Sequence, residues 1–242
     1  MSTVFQISDC HLSDESSFQN LEKALNVANA DGDCDTILLT GDICCGPKSG
    51  DYTKLLSFVS QHVDSKKQVY AIAGNHDDIV LMKDELKGSL IQVVDQCEIA
   101  GRDFIFLDSS QKPIDAQHPL GSGRIDNRGI AHLRKQIRKK KDPIVVVHHP
   151  VIRVGSEWMK AICLENDQQI FNILKQSGVR EVICGHGHDH ITCTKEGVTQ
   201  YMAPATAYGF DHSIPEYNRS ERIGMNKFTI SKQTITVNEV VL

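Results

Sequence analysis

The 242 residues, 40% hydrophobic and 24% charged, have the balance of an ordinary globular chain long enough to bury a sizeable core. A formal net charge of -5 gives no broad attraction to nucleic acid or to an anionic membrane, and the one basic run, "RKQIRKKK" at 134–141, reads as the solvated face of a helix. The opening "MSTVFQISDCH" turns polar after a few apolar residues, so neither a signal peptide nor a membrane span is expected and the expected location is the cytoplasm.

Short β-rich runs alternate with helical patterns along the first third. "TVFQIS" predicts a strand, Phe18, Leu21, Leu25 and Ala28 a helix, "TILLT" a strand, Leu55, Leu56, Val59 and Val63 a second helix, and "VYAIA" a third strand. The stretch "QVVDQCEIAGRDFIFLDSS" then reads as two strands turning at Ala100-Gly101, a hairpin rather than a crossover. A helix over 126–140, the strand "PIVVVHH", a helix over 166–176 and the strand "EVICG" come next, and "NKFTISKQTITVNEVVL" predicts a closing hairpin that turns at "SKQ". With no repeat, low-complexity tract or linker, residues 1–242 are expected to form a single domain. Mixed strands with helices outside predict an α/β fold, a layered αββα sandwich.

The residues directly behind each strand carry the chemistry. Asp9-Cys10-His11 come after "FQIS", Gly41-Asp42 after "ILLT", Gly74-Asn75-His76-Asp77 after "YAIA", His148-His149 after "IVVV" and Gly185-His186-Gly187-His188 after "EVIC". Five strands thus end in side chains able to ligate a metal. In open α/β sheets ligands sit in the crevice at the carboxyl ends of the strands, so the five loops are expected to meet at one site. Each piece alone has a plainer reading as a turn, a cap or a satisfied hydrogen bonder, but all five in order do not.

The series "DCH", "GDI", "GNHD", "HH" and "GHGH", over residues 9–188, resembles the calcineurin-like metallophosphoesterase family, whose pattern is D-x-H, G-D, G-N-H-D/E, H and G-H-x-H. Length, the "HHP" block and the strand-rich tail make the chain most similar to the bacterial class III cyclic nucleotide phosphodiesterases. The match departs in reading "HHPV" where a second proline is frequent in relatives, and "APATAYGFDHSIPEYNRSERIG" carries no transferable motif.

The resemblance implies two divalent cations per chain, one taking Asp9, His11 and His188, the other Asn75, His148 and His186, with Asp42 bridging. Carboxylate, imidazole and a neutral amide oxygen suit manganese, iron or zinc. Two such cations can clamp a phosphoryl group and lower the pKa of a bound water or hydroxide, so the implied activity is attack on phosphorus and cleavage of a P–O ester bond. His76 is expected to face substrate and act with Asp77 as the catalytic pair, since Asn75 already turns toward a cation and a histidine is a natural proton donor near neutral pH. His149 is expected to steady the ligands rather than join them.

The expected substrate is a small-molecule phosphodiester, first a 3',5'-cyclic nucleotide such as cAMP. A glycerophosphodiester and a phosphomonoester stay open beside it, as does a metal-dependent scaffold without turnover. No nucleic-acid or membrane partner is expected, and relatives of this compact type suggest a homodimer. Tyr208, His212 and Arg219 fall in a loop-like stretch that reads as a surface loop first and as a wall of the substrate pocket second, Asp189 and His190 are expected to face solvent or steady their loop, and "GSGR" at 121–124 lacks the helix-opening context of a phosphate cradle. The eight cysteines are scattered and form no C-x-x-C pair, so reduced core thiols are expected. A role for Cys10, Cys44 or Cys45 near the site stays open.

Overall fold

The computed structural model describes all residues, 1–242. Elements come in the order β1 (Ser2–Ile7), α1 (Glu15–Ala30), β2 (Cys34–Thr40), α2 (Asp51–His62), β3 (Gln68–Ile72), α3 (Ile79–Glu85), β4 (Ile91–Gln92), β5 (Gln96–Ile99) and β6 (Arg102–Leu107). The second half adds α4 (Asn127–Ile137), β7 (Ile144–Val147), α5 (Glu157–Ala161), α6 (Asp167–Gln176), β8 (Glu181–Cys184), β9 (Ile191–Lys195), β10 (Val198–Met202), β11 (Gly224–Ile230) and β12 (Ile235–Val241).

β1, β2, β3, β7 and β8 are buried over nearly their whole length because both faces of each strand are covered. Two six-stranded sheets result, ordered β12-β11-β1-β2-β3-β4 and β5-β6-β7-β8-β10-β9. β1 to β4 run parallel with β11 antiparallel to β1; β6, β7, β8 and β10 run parallel with β5 and β9 antiparallel at the two edges. Alternate residues sort between layers. Val4, Leu38, Tyr70, Phe104, Val146 and Ile183 pack between the sheets. Phe5, Ile37 and Val69 turn outward onto α1 and α2, and Val145, Val147 and Val182 onto α4 and α6. The architecture is the expected αββα sandwich.

Five elements lie outside the expected set: the short helices α3 and α5, the two-residue strand β4, and the two strands of the β9–β10 hairpin. The hairpin turns at Glu196-Gly197, both at positive φ, the two-residue connection whose twist matches antiparallel strands. The basic run behaves as expected, since Leu133 and Ile137 of α4 are buried while Arg134, Lys135, Arg138 and Lys139 are exposed. No helix is long and apolar enough to cross a membrane.

One polar seam crosses the apolar layer between the sheets. Gln6 is fully buried and donates through Nε2 to Thr40 Oγ1 at 2.9 Å and to the Cys184 carbonyl at 2.8 Å. Its Oε1 accepts from Asn226 Nδ2 at 3.0 Å, and Asn226 Oδ1 meets His190 Nδ1 at 2.7 Å. β1, β2 and β11 of one sheet are thereby tied to β8 of the other beside their carboxyl ends, where the candidate site begins.

Candidate metal centre

Short backbone bonds between neighbouring loops bring the five strand ends together. Asp9 N donates to Gly41 O (3.0 Å), His11 N to Asp42 O (2.9 Å) and Gly185 N to His148 O (3.0 Å). The turns are sharp: Asp9, His11, Asp42, His186 and His188 all have φ between 44° and 70°. For residues with a Cβ this region is sparsely populated and costs of order 1–3 kcal/mol each, a pattern that clusters at functional sites. Glycine is required where loops close on one another. A Cβ on Gly185 would stand 2.8 Å from Asp9 Oδ2, and one on Gly41 would stand 2.7 Å from His148 Cγ.

All seven sequence-predicted ligands meet here. His11 Nε2 and His188 Nε2 lie 3.2 Å apart, His188 Nε2 is 3.2 Å from Asp9 Oδ1, and His148 Nε2 is 3.4 Å from Asp42 Oδ2. Asp9, His11 and His188 form one group able to hold an ion, and Asp9, Asp42 and His148 a second beside it. Three of the four imidazoles are aimed by their other nitrogen. His148 Nδ1 meets Thr40 O at 2.8 Å, His188 Nδ1 meets Tyr208 O at 2.7 Å, and His186 Nε2 meets Ile162 O at 2.9 Å, which turns the opposite nitrogen toward the cluster.

Three of the seven leave a buried polar atom with no hydrogen-bond partner: Asp9 Oδ1, Asn75 Oδ1 and His148 Nε2. An orphaned buried polar atom costs about 1–3 kcal/mol, and Asp9 and His148 belong to one group whose ligand atoms lie within 4.8 Å of one another. Divalent cations fit them, since two oxygens and one imidazole nitrogen supply the donors such ions take.

Burial opposes charge on every one of these groups, and the neighbours decide the outcome. His148 and His188 hold the Asp9 carboxyl below the usual range despite burial, and His148 and His11 hold Asp42 well below it. In return Asp42 and Asp9 lift His148 to about 9, although burial lowers it. Burial and a neighbouring imidazole push His11 and His186 down to about 4. The pocket therefore combines two ionised carboxylates and a proton on His148 with His11 and His186 held neutral, an arrangement in which a cation can take the place of that proton.

His149 makes a hydrogen bond through each nitrogen, Nδ1 with Ser109 Oγ at 2.8 Å and Nε2 with Gly121 O at 3.0 Å, and it packs on the His186 ring at 4.4 Å. With both nitrogens engaged it supports the neighbouring ligand. Of "GSGR", Gly121 makes this contact and Gly121 and Ser122 also line the cavity.

His76 is exposed, its ring edge-on to His11 with centroids 5.0 Å apart, and its backbone N–H donates to Asp42 Oδ1 at 2.8 Å. No hydrogen bond joins the His76 ring to the Asp77 carboxylate, which is engaged elsewhere. Asp77 Oδ1 accepts from Cys44 N (2.9 Å) and Tyr52 Oη (3.0 Å), and Oδ2 from Ile43 N and Gly74 N (both 3.0 Å). Four donors drawn from two loops and α2 leave no lone pair aimed at His76, so Asp77 fastens the Asn75-His76 loop to the loop after β2. Burial and the charge of Asp42 raise its pKa to about 6 even against those donors.

Of the two readings of residues 203–224, the structure supports the pocket wall, since Ala207, Tyr208, Phe210, Tyr217 and Arg219 line the cavity. Thr206 N and Ala207 N bond to the carbonyls of Ser8 and Asp9, and Phe210 N to that of His188. The Tyr208 ring lies 5.5 Å from His11 and 4.6 Å from His188, and His212 Nε2 meets Gly187 O at 2.8 Å. Ser8, whose hydroxyl donates to Asp9 Oδ2 at 2.6 Å, escapes the sequence reading although it sits next to the first ligand. Of the three cysteines left open, burial pushes Cys10 up to about 12 and raises Cys44, while Cys45 is exposed with Sγ 3.9 Å from His76 Nδ1.

The cluster opens into a cavity of about 970 Å³, with His11, Asn75, His76 and His188 on its floor and residues 112–122 and 207–219 along its sides.

The family model described as calcineurin-like phosphoesterase matches residues 2–190. A protein named probable cyclic nucleotide phosphodiesterase in Ruthia magnifica is 27% identical over 235 residues, 93% of this chain and 92% of its own. The 3',5'-cyclic adenosine monophosphate phosphodiesterase CpdA of Vibrio vulnificus is 25% identical over 220 residues, 86% of this chain and 77% of its own. In fold, a dimetal phosphatase from Danio rerio superposes with a TM-score of 0.71 at 14% identity, covering 99% of this chain and 98% of the other. The chain belongs to the calcineurin-like phosphoesterase family and is a hydrolase of phosphoric ester bonds.

Proposed function

We propose that the chain hydrolyses a phosphodiester, first a 3',5'-cyclic nucleotide such as cAMP, at a centre of two divalent cations held by Asp9, His11, Asp42, Asn75, His148, His186 and His188. The observation that carries the reading is the set of three orphaned buried atoms on Asp9, Asn75 and His148, in a cluster whose Asp42, Asn75, His186 and His188 line an open cavity. Manganese, iron or zinc would suit the donors, and a cation pair there would supply charge for a phosphoryl group and acidify a water.

The remaining roles belong to the protein's own groups. Asp42 stands between the two halves of the cluster, 3.4 Å from His148 Nε2 and 3.9 Å from His11 Nε2, which supports it as the shared carboxylate. His76 faces the cavity beside His11 and is placed to give a proton to the departing ester oxygen. Asp77 serves as a positioning residue: it holds the loop that carries Asn75 and His76. The Ruthia magnifica and Vibrio vulnificus relatives, whose names specify cyclic nucleotides, support the choice of substrate.

The test is a substrate panel of cAMP, cGMP, glycerophosphodiesters and p-nitrophenyl phosphate, assayed with manganese, iron and zinc in turn. Cyclic nucleotides should give the highest kcat/KM. A profile in which only monoesters turn over would overturn the diesterase reading, and no metal-dependent turnover on any of them would overturn the enzymatic one.

A further inference from the structure

The cavity is far larger than a phosphoryl group requires, and its wall next to the ligands is built from the 203–224 segment. We infer that Tyr208, Tyr217 and Arg219 form a subsite for the heterocyclic base of a nucleotide ester. The inference rests on the proposed phosphodiesterase activity and names the part of the substrate that this segment recognises.

Tyr208 sets the position. Its ring touches the rings of both His11 and His188, and its carbonyl fixes His188, so the wall begins where the ligand cluster ends. Over that ring, 4.0 Å from its centroid, lies the guanidinium carbon of Arg219, whose Nε donates to Tyr217 Oη at 2.8 Å. Arg219 pairs with no carboxylate, as is also true of the exposed Arg128, Arg134 and Arg138, but unlike them it is held against aromatic side chains. Two phenols hold it instead, and its two terminal nitrogens make no hydrogen bond within the chain.

An arginine held flat on a ring, with one edge unspent, recognises planar partners. That edge can donate to two acceptors at once, as a ring nitrogen and carbonyl of a purine provide, and the Tyr217 face can stack on the ring system. Tyr217 is 58% exposed yet fixed, with Trp158 and Phe210 at centroid distances of 5.2 and 5.6 Å. Such a wall offers area at little further ordering cost.

Charge favours a base over a second phosphate. Beyond the ligand cluster, Asp14 and Asp115 face the same cavity as Lys112 and Arg219, so positive charge does not accumulate there. A site for a second anion would need that excess; a site for a neutral ring with acceptors at its edge does not.

The experiment is calorimetric titration of the manganese-loaded protein with adenosine 5'-monophosphate, ribose 5-phosphate and inorganic phosphate. The nucleotide should bind at least about 10-fold tighter than ribose 5-phosphate, the margin that one stacked base typically contributes. Arg219→Ala and Tyr217→Ala should each remove most of that margin while inorganic phosphate binds as in the parent, and Arg219→Lys should not restore it because an ammonium is not planar. Equal affinity for nucleotide and sugar phosphate in the parent protein would overturn the base subsite alone. So would a parallel loss of inorganic phosphate binding in the Arg219 variant, which would assign the guanidinium to phosphoryl charge. Failure of all three ligands to bind would instead bring down the phosphoesterase centre on which the subsite depends.

Discussion

Gly74→Ala adds one methyl group and should disable the centre without unfolding the protein. An ideal Cβ at this position would lie 2.8 Å from Asp42 Cγ and closer still to Asp42 Oδ1 and N, inside the 3.0 Å that real Cβ contacts respect. Gly74 is outside the left-handed region, so the effect is one of space alone. Its backbone cannot retreat easily, because Gly74 N donates to Asp77 Oδ2 at 3.0 Å and Gly74 O accepts from Asp77 N at 3.3 Å. Asp42 must yield, and its Oδ1 then loses the 2.8 Å bond from His76 N. Overpacking of this size costs about 1–3 kcal/mol, a fall of roughly 2–12 °C in Tm for a chain of this length. Activity should suffer more, since a displacement of about 1 Å at a reacting site is worth about 100-fold in rate. Thermal unfolding, elemental analysis and turnover of a chromogenic bis-ester measure the three effects. A variant with two metals per chain and a rate within about threefold of the parent would refute the argument that contact with Gly74 sets the Asp42 carboxylate.

Asp42→Asn should lower metal content below two per chain and cut turnover by more than any other single ligand change, because the lost charge faces both halves of the cluster; elemental analysis beside a rate assay decides it. His76→Ala should keep both metals, lose about 10²–10⁴ in rate on a cyclic nucleotide, and lose far less on a nitrophenyl ester whose leaving group needs no proton. Equal losses on the two substrates would assign His76 to phosphate binding. In chelator-treated protein, stability should fall with rising pH between 7 and 7.5, below the range near 8.5 in which thiols of the unfolded chain ionise. The folded pKa of His148 is about 9. It exceeds the unfolded value of about 6.5, so its contribution is complete below that value and declines by about 1.4 kcal/mol per pH unit until the folded pKa is passed. Urea midpoints that stay flat across that window would contradict the assignment of a proton to His148.

What the sequence reveals about this molecule is what periodicity and strand ends encode. The helices α1, α2, α4 and α6 carry apolar residues at helical spacing, and the five strands that deliver ligands are short apolar runs closed by Asp, Asn or His. α3 escapes because seven residues are too few for a period, although Asp78 caps it by accepting from Val80 N and Leu81 N. The β9–β10 hairpin is legible in principle, since "ITCTK" and "VTQYM" flank the two residues "EG". Asp77 is hard to read for a different reason. Its partners Ile43, Cys44 and Tyr52 lie 25 to 34 residues away, and nothing local distinguishes a carboxylate that orients a histidine from one that ties two loops. The 203–224 segment poses the same difficulty on a larger scale, because Ser8, Asp9 and His188, which anchor it, are remote in sequence.

The strained turns explain why so much of the fold stands behind so few ligands. At of order 1–3 kcal/mol each, five left-handed residues at the site could together offset a large share of the 5–15 kcal/mol by which a domain is usually stable. Isolated loops would relax. Here the turns are held by backbone bonds between loops and by the buried Gln6 and Asn226 amides, none of which uses an atom that would touch a cation. Because those restraints run from one sheet to the other, the spacing of Asp9 and Asp42 relative to His148 and His186 is set by how the sheets pack. Substitutions in the seam between the sheets should therefore act on the centre as strongly as changes to residues that line it, whereas the wall formed by Tyr208, Tyr217 and Arg219 can vary with the substrate while the centre stays fixed.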